Sequence, residues 1–363
     1  GKVLCGFDCG RDETARLVGH FEDIVRCLFC LPFNFPGSGL NKGLKARDFV
    51  TKKIEENIRR KCGEDDTHDA LRILMEQDTE TGEAPSTEVI VATAIDLLVA
   101  GYASTASAAC SIVLQLHQNR PVLERVRREL AEHGLQEPGG PLTLQTLNDL
   151  KYVTNVVQEI LRVSPPIGAA FRKALRTFEL DGKQIPAGWT VLYSIRDTVA
   201  MSDIFTGKDR FDPDRFAPER REDRRGDRYN YCIFGGGPRS CIGKSFAMML
   251  MRLLVVELAR GCSWELLSPG SLRVTPLPTP HPVDGLPVRF SRLAAVGGSL
   301  DHNANSVVLK CEEADDGGAL ASESTSTTAS ASASSSTSAT VSTTASASAS
   351  ASSSSSSVPY QGP

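Results

Sequence analysis

The chain has 363 residues, of which 40% are hydrophobic and 23% charged, and its formal net charge is −4. That length buries a substantial core, as one large domain or two smaller ones. The balance is that of an ordinary globular protein, and the charge gives no reason to expect nucleic acid as a partner.

Taken from the start, Gly1-Lys2-Val3-Leu4 has no Met, basic n-region or apolar h-region, and it reads as the interior of something longer. No stretch reaches the roughly 18 consecutive apolar residues of a membrane span. Ten cysteines, at 5, 9, 27, 30, 62, 110, 232, 241, 262 and 311, follow no repeating framework. They fit reduced thiols of an intracellular protein better than a secreted disulfide scaffold. Cys27 and Cys30 have zinc-knuckle spacing, but they sit in an apolar run without a second Cys or His pair and are read as core thiols.

Residues 87–117 form a long apolar segment that as a helix would span roughly 45 Å. Pro121 opens the next helix and Gly134 closes it. Another runs from about Lys151 to Val163 and stops at Ser164-Pro165-Pro166. Strand-like pieces follow near Phe178–Leu180 and Thr190–Tyr193, with turns at Gly182 and at Pro186-Ala187-Gly188. The Pro-, Asp- and Arg-rich stretch from Asp203 to Arg228 is expected as an irregular surface loop. Helix resumes after Cys241, with Phe246, Leu250, Leu253, Leu254 and Leu258 as its apolar face. After about Ala319 the chain is nearly all Ser, Ala and Thr, which cannot bury enough surface to fold. The expected division is 1–300 as the folded part and 301–363 as a disordered tail.

The densest chemical signal is Phe234-Gly235-Gly236-Gly237-Pro238-Arg239-Ser240-Cys241-Ile242-Gly243. A cysteine that ligates iron as thiolate needs its charge stabilised and its sulfur closely approached by backbone. The glycines allow a tight turn with amides aimed at sulfur, and a helix starting at Cys241 brings its positive end. Arg239 supplies a fixed positive charge two residues away. A glycine-rich turn carrying an incidental cysteine is the bland alternative.

This string matches the haem-binding signature of the cytochrome P-450 superfamily, F-x-x-G-x-R-x-C-x-G, at every fixed position. The resemblance extends backwards. Glu159-Ile160-Leu161-Arg162 is similar to the superfamily's E-x-x-R motif, and Phe211-Asp212-Pro213-Asp214-Arg215-Phe216 resembles the meander whose arginine completes that network. The resemblance implies a mainly α fold with a small β region, and haem b bound by Cys241 as axial ligand. Phe234, Gly235, Arg239 and Gly243 would contact the haem, as would Arg172, while Glu159, Arg162 and Arg215 would serve folding and haem retention. On the oxygen-activating helix, Ala100-Gly101-Tyr102-Ala103-Ser104-Thr105 has Ala103 where the family carries an acid. Ser104 and Thr105 are then the candidate catalytic hydroxyls.

Longer strings are similar to the retinoic-acid hydroxylase branch, cytochrome P-450 family 26. They include Thr177-Phe178-Glu179-Leu180-Asp181-Gly182, Tyr193-Ser194-Ile195-Arg196-Asp197-Thr198 and His281-Pro282-Val283-Asp284-Gly285-Leu286. The branch implies hydroxylation of all-trans-retinoic acid with electrons from an NADPH-dependent reductase. Its substrate would lie against Ala100, Ala103, Pro166, Ile167, Gly168, Pro276 and Leu277. Arg120, Arg125, Arg127 and Arg128, with Arg220, Arg221, Arg224, Arg225 and Arg228, are either docking charges for that reductase or solvated faces. The branch also implies the cytosolic face of the endoplasmic reticulum, with membrane attachment through a segment preceding Gly1. Two alternatives stay open: a monooxygenase acting on another lipid such as a sterol or fatty acid, and a truncated, inactive homologue or haem-binding module.

Overall fold

The computed structural model describes residues 2–27, 30–61, 69–76, 82, 84–227, 229–267, 274–275, 279–293 and 306–309. The expected boundary at 300/301 lies outside the described residues. Those described divide into two compact units, one within Gly1–Ser104 with Thr279, the other within Thr105–Thr275 and 280–309.

In the first unit, α1 (Lys2–Cys5), α2 (Arg11–Cys27), α3 (Gly39–Lys61) and α4 (Ala70–Met75) precede the first part of α5 (Thr87–Gln118). Leu17, Phe21 and Ile24 of α2 bury against a core shared with Ala46, Val50 and Ile54 of α3 and Ile90, Val91, Ala94 and Leu98 of α5. Spacings of three and four place these side chains on single helix faces. Cys27 and Cys30 are half-buried, and Cys30 Sγ lies 3.0 Å from the Cys27 carbonyl.

The second unit holds the rest of α5, then α6 (Arg120–Glu132), α7 (Leu144–Asp149) and α8 (Lys151–Val163). Pro121 stands in the first turn of α6 and Gly134 follows it at φ +67°, so both expected signals operate. Strand β1 (Ala169–Lys173) pairs antiparallel with β4 (Thr190–Ser194), around the hairpin of β2 (Phe178–Leu180) and β3 (Lys183–Ile185). Then come α9 (Ile195–Met201), the meander, α10 (Lys244–Gly261) and β5 (Cys262–Leu266). Two-residue pieces β6 (Val274–Thr275) and β7 (His281–Pro282) pair with each other. Finally β8 (Val288–Arg292) lies between β5 and β9 (Ser306–Leu309).

The core here is Ile112 and Leu116 of α5, Leu123 and Val126 of α6, Val153, Val156, Val157 and Ile160 of α8, and Met251, Val255 and Val256 of α10, closed by Trp264. Trp264 donates from Nε1 to the Val113 carbonyl (3.1 Å) and lies under the Arg120 guanidinium. α5 is long and apolar enough to cross a membrane by length and composition. Ile90 and Leu98 on it belong to the first core and Ile112 and Leu116 to the second, with 33% of its apolar window buried.

Three expectations are corrected. α10 starts at Lys244, not at Cys241, because Cys241 accepts the Lys244 N–H in a tight turn (3.4 Å) and Gly243 becomes the cap. Its buried face is Met251, Val255, Val256, Leu258 and Ala259, while Phe246, Leu250, Leu253 and Leu254 are only partly covered. The 203–228 stretch carries two 3₁₀ turns, and its Pro213, Arg215, Phe216 and Glu222 are buried instead of lying on the surface.

Candidate functional site

The Phe234–Gly243 loop is built by backbone hydrogen bonds that only permissive residues allow. Gly235 and Gly237 both sit at φ +70°, where an L side chain is strained. Gly235 N–H donates to the Cys232 carbonyl (2.8 Å) and Cys241 N–H donates to the Phe234 carbonyl (2.8 Å), closing the loop on itself. The Cys241 thiol is exposed. A Cβ at position 243 would stand 4.0 Å from its sulfur, an ordinary van der Waals distance. Next to it, Ile242 is 90% exposed, an apolar side chain presented beside the thiol. Arg239 is exposed. Phe234 is half-buried against the core, with the Lys244 ammonium 5.6 Å above its ring.

Arg172 extends from β1. Its Nη2 donates to the Tyr193 hydroxyl (3.1 Å) and its Nη1 to the Phe171 carbonyl (2.7 Å). Before it, Pro166 is buried and Ile167 exposed. The Gly168 carbonyl accepts from Ile195 N–H (2.8 Å) and Arg196 N–H (3.0 Å), which ties the β1 entrance to α9. On α5, Ala103 is buried and Ala100 exposed. Ser104 donates its hydroxyl proton to the Ala100 carbonyl (2.8 Å), while Thr105 is half-buried. Pro276 and Leu277 lie outside the described residues.

Glu159, Arg162 and Arg215 do meet. Arg162 donates to both Glu159 oxygens, Nε to Oε2 at 2.7 Å and Nη2 to Oε1 at 3.0 Å. Asp212 N–H (2.7 Å) and Arg215 Nε (3.3 Å) also donate to Oε1. All three side chains are at most 3% exposed. Arg215 then reaches Glu222 Oε2 (3.1 Å) and the carbonyls of Thr206, Gly207 (2.7 Å) and Arg210 (3.0 Å).

Glu222 is a member of this network that the sequence reading missed. It accepts from Arg220 Nη2 (2.8 Å) and from the Thr206 hydroxyl (2.6 Å) and is itself 1% exposed. Burial pushes its carboxyl up, but the hydrogen bonds from Thr206, Arg220 and Arg215 prevail and hold it at about 2. It lies in a charge-dense run that reads as solvated surface. The same network engages Arg220, which also pairs with Asp212 (2.6 Å). Arg125 is bound to Asp214 (2.7 Å), and Arg127 to the Ala259 (3.0 Å) and Cys262 (3.2 Å) carbonyls. These arginines make intramolecular ties, although Arg125 and Arg220 keep part of their side chains exposed.

The site is thus an exposed cysteine on a glycine-turned loop with Arg239 two residues away, and a buried carboxylate–guanidinium network in the same unit. The comparisons say which family built it. The cytochrome P450 family model matches residues 23–279, and the chain belongs to that family. It is 43% identical to cytochrome P450 26A1 of Danio rerio over 301 residues, and 40% identical to cytochrome P450 26B1 of Homo sapiens over 319. Those alignments take in 80% and 86% of this chain, and the chain spans 61% of the length of each relative. The branch named by the longer strings is thus the one whose members it resembles. Among solved structures, a retinoic-acid-bound cyanobacterial CYP120A1 is 31% identical with a TM-score of 0.73, covering 80% of this chain and 66% of that one. The cytochrome P450DA heme domain, at 22% identity and a TM-score of 0.70 over 80% of this chain and 64% of its own, shares the fold.

Proposed function

We propose that the chain is the haem-binding part of a monooxygenase that hydroxylates all-trans-retinoic acid, taking electrons from an NADPH-dependent reductase. The observation that carries the reading is the exposed Cys241 on a loop turned by Gly235 and Gly237 at positive φ. The residues fit haem b. Cys241 would provide a sulfur ligand, Ile242 an apolar contact, and the exposed Arg239 and Arg172 cations for the two carboxylates of the group. When bound, haem supplies activation of dioxygen for insertion of one oxygen atom into a C–H bond.

The chain's own contributions follow from its chemistry. Phe234 limits water near the sulfur, and the turn made by Gly235 and Gly243 keeps backbone close. Glu159, Arg162 and Arg215 hold the meander against α8. Thr105 is the hydroxyl left to hold a water and pass protons, because Ser104 spends its proton on the Ala100 carbonyl. Pro166, Ile167 and Gly168 offer an apolar, small-residue turn for a hydrophobic substrate. Similarity to the 26A1 and 26B1 enzymes, and to a solved structure that carries retinoic acid, favours the retinoid over other lipids. Placement on the endoplasmic reticulum membrane belongs to the same proposal.

The reduced protein under carbon monoxide should show a red-shifted, thiolate-type Soret band that is absent in Cys241→Ala. With reductase and NADPH, retinoic acid should be consumed in preference to sterols and fatty acids. A Soret band unaltered by Cys241→Ala rejects the ligand, and equal turnover of a sterol rejects the substrate.

A further inference from the structure

The haem reading asks Arg172 to present its charge beside the Cys241 loop, yet an exposed arginine on a two-stranded sheet has many rotamers. Freezing such a side chain on binding costs conformational entropy. One residue outside the family signature removes that freedom in advance. Ala170 is paired with Tyr193 across β1 and β4, and Arg172 with Val191, so Arg172 and Tyr193 are diagonal neighbours on one face. The guanidinium donates to the phenol oxygen (3.1 Å) and its carbon lies 5.2 Å from the ring centroid. The same phenol oxygen lies 3.7 Å from where a Cβ of Gly235 would stand. Gly235 belongs to the turn that closes on Cys241, so the Tyr193 hydroxyl joins the strand carrying Arg172 to the loop carrying the sulfur.

We infer that Tyr193 is a positioning residue for haem: it holds Arg172 by stacking and hydrogen bonding, in register with the Cys241 loop, so that a carboxylate of the bound group meets an already ordered cation. This inference rests on the haem-thiolate reading. Gly235 is required for its positive φ, and the phenol oxygen stands within ordinary van der Waals reach of it.

The test is haemin titration of the apo chain by Soret absorbance, for wild type, Tyr193→Phe, Arg172→Ala and the double variant, with the reduction potential of each bound haem. Tyr193→Phe keeps the stacking and loses the hydrogen bond, so haemin affinity should fall about 3- to 10-fold, as for one ordinary solvent-exposed hydrogen bond. Arg172→Ala should lose more, and adding Tyr193→Phe to it should cost little further, because the phenol acts through the guanidinium. The potential should drop in both single variants as a cation leaves the haem carboxylates, a change that a purely structural tyrosine would not produce. Unchanged affinity and potential in Tyr193→Phe, or full additivity with Arg172→Ala, overturns the inference while leaving the haem reading intact. Haemin binding by wild type that survives Cys241→Ala undiminished, or no binding at all, overturns both.

Discussion

Arg215 is the residue whose loss the structure penalises most clearly. Its guanidinium stands between two carboxylates, Glu159 and Glu222, and donates to three backbone carbonyls, all with the side chain 1% exposed. With Arg162 counted, the four buried charges sum to zero. Arg215→Ala leaves a net −1 in the same place, with Glu159 held by Arg162 and Glu222 by Arg220. Removing one partner of a buried pair costs about 3–5 kcal/mol, because the remaining charge stays desolvated. The three carbonyls lose donors as well, which places the expected loss at the upper end, about 4–5 kcal/mol, against a total of about 5–15 kcal/mol for a domain. Urea unfolding followed by the fluorescence of Trp264, fully buried in the same unit, reads the change directly. Arg220→Ala is the control. Its side chain is 33% exposed and its loss should cost about 1 kcal/mol. A loss below about 1 kcal/mol for Arg215→Ala at an unchanged m-value would refute the reasoning, since it would mean that water already screens the network.

Glu222 ties stability to acid pH. Its folded value of about 2 lies below the ordinary 4.5, so its stabilisation is complete above about pH 4.5 and drains as pH falls towards 2. Between pH 6 and pH 3 the wild type should lose about 1–3 kcal/mol that Glu222→Gln does not lose, and parallel pH profiles in urea would contradict this. The thiols should sort by environment. Burial raises Cys5 and Cys262 to about 11, whereas Cys241 is exposed, so brief alkylation at pH 8 followed by peptide mapping should mark Cys241 and spare the other two. Haemin added beforehand should protect Cys241; labelling at an equal rate with and without haemin would speak against sulfur ligation.

The parts of this fold that could be read from sequence are those where chemistry restricts the residue types. A thiolate loop demands glycines at positive φ, and Gly235 and Gly237 are there. An i,i+3 Glu–Arg pair on a helix presents one face, and Glu159 and Arg162 share it. Proline and glycine punctuation set α6 and α8 to within a residue or two. What sequence concealed depends on tertiary partners. The α10 helix is apolar around most of its circumference, so periodicity alone did not separate Met251, Val255 and Ala259 from Phe246, Leu250 and Leu254. Glu222 sits among Arg220, Arg221, Asp223 and Arg224, where burial of one member leaves no compositional trace. Tyr193 reads as an ordinary aromatic strand residue until β1 is laid beside β4.

These concealed residues give the ion network its relation to the sulfur. Tyr231 is half-buried, its hydroxyl donating to the Gln158 carbonyl (2.9 Å) on α8 beside Glu159. Its ring packs edge-on against Phe205 and tilted against Phe216, the neighbour of Arg215. Burial pushes the Tyr231 phenol well up, so at neutral pH it remains a donor and adds no charge of its own to the neutral set. The next residue along, Cys232, offers the carbonyl that Gly235 N–H takes to begin the loop turn. The network therefore fixes α8 and the meander, Tyr231 carries that position one residue short of the turn, and the turn sets Cys241. From the other side Tyr193 meets the same turn at Gly235. The cysteine is held in place through backbone on both flanks while its sulfur, free of side-chain neighbours in the loop, is left for a ligand. That division of labour gives the four desolvated charges a role here: they fix the flank of a loop in which Phe234 alone packs against the core.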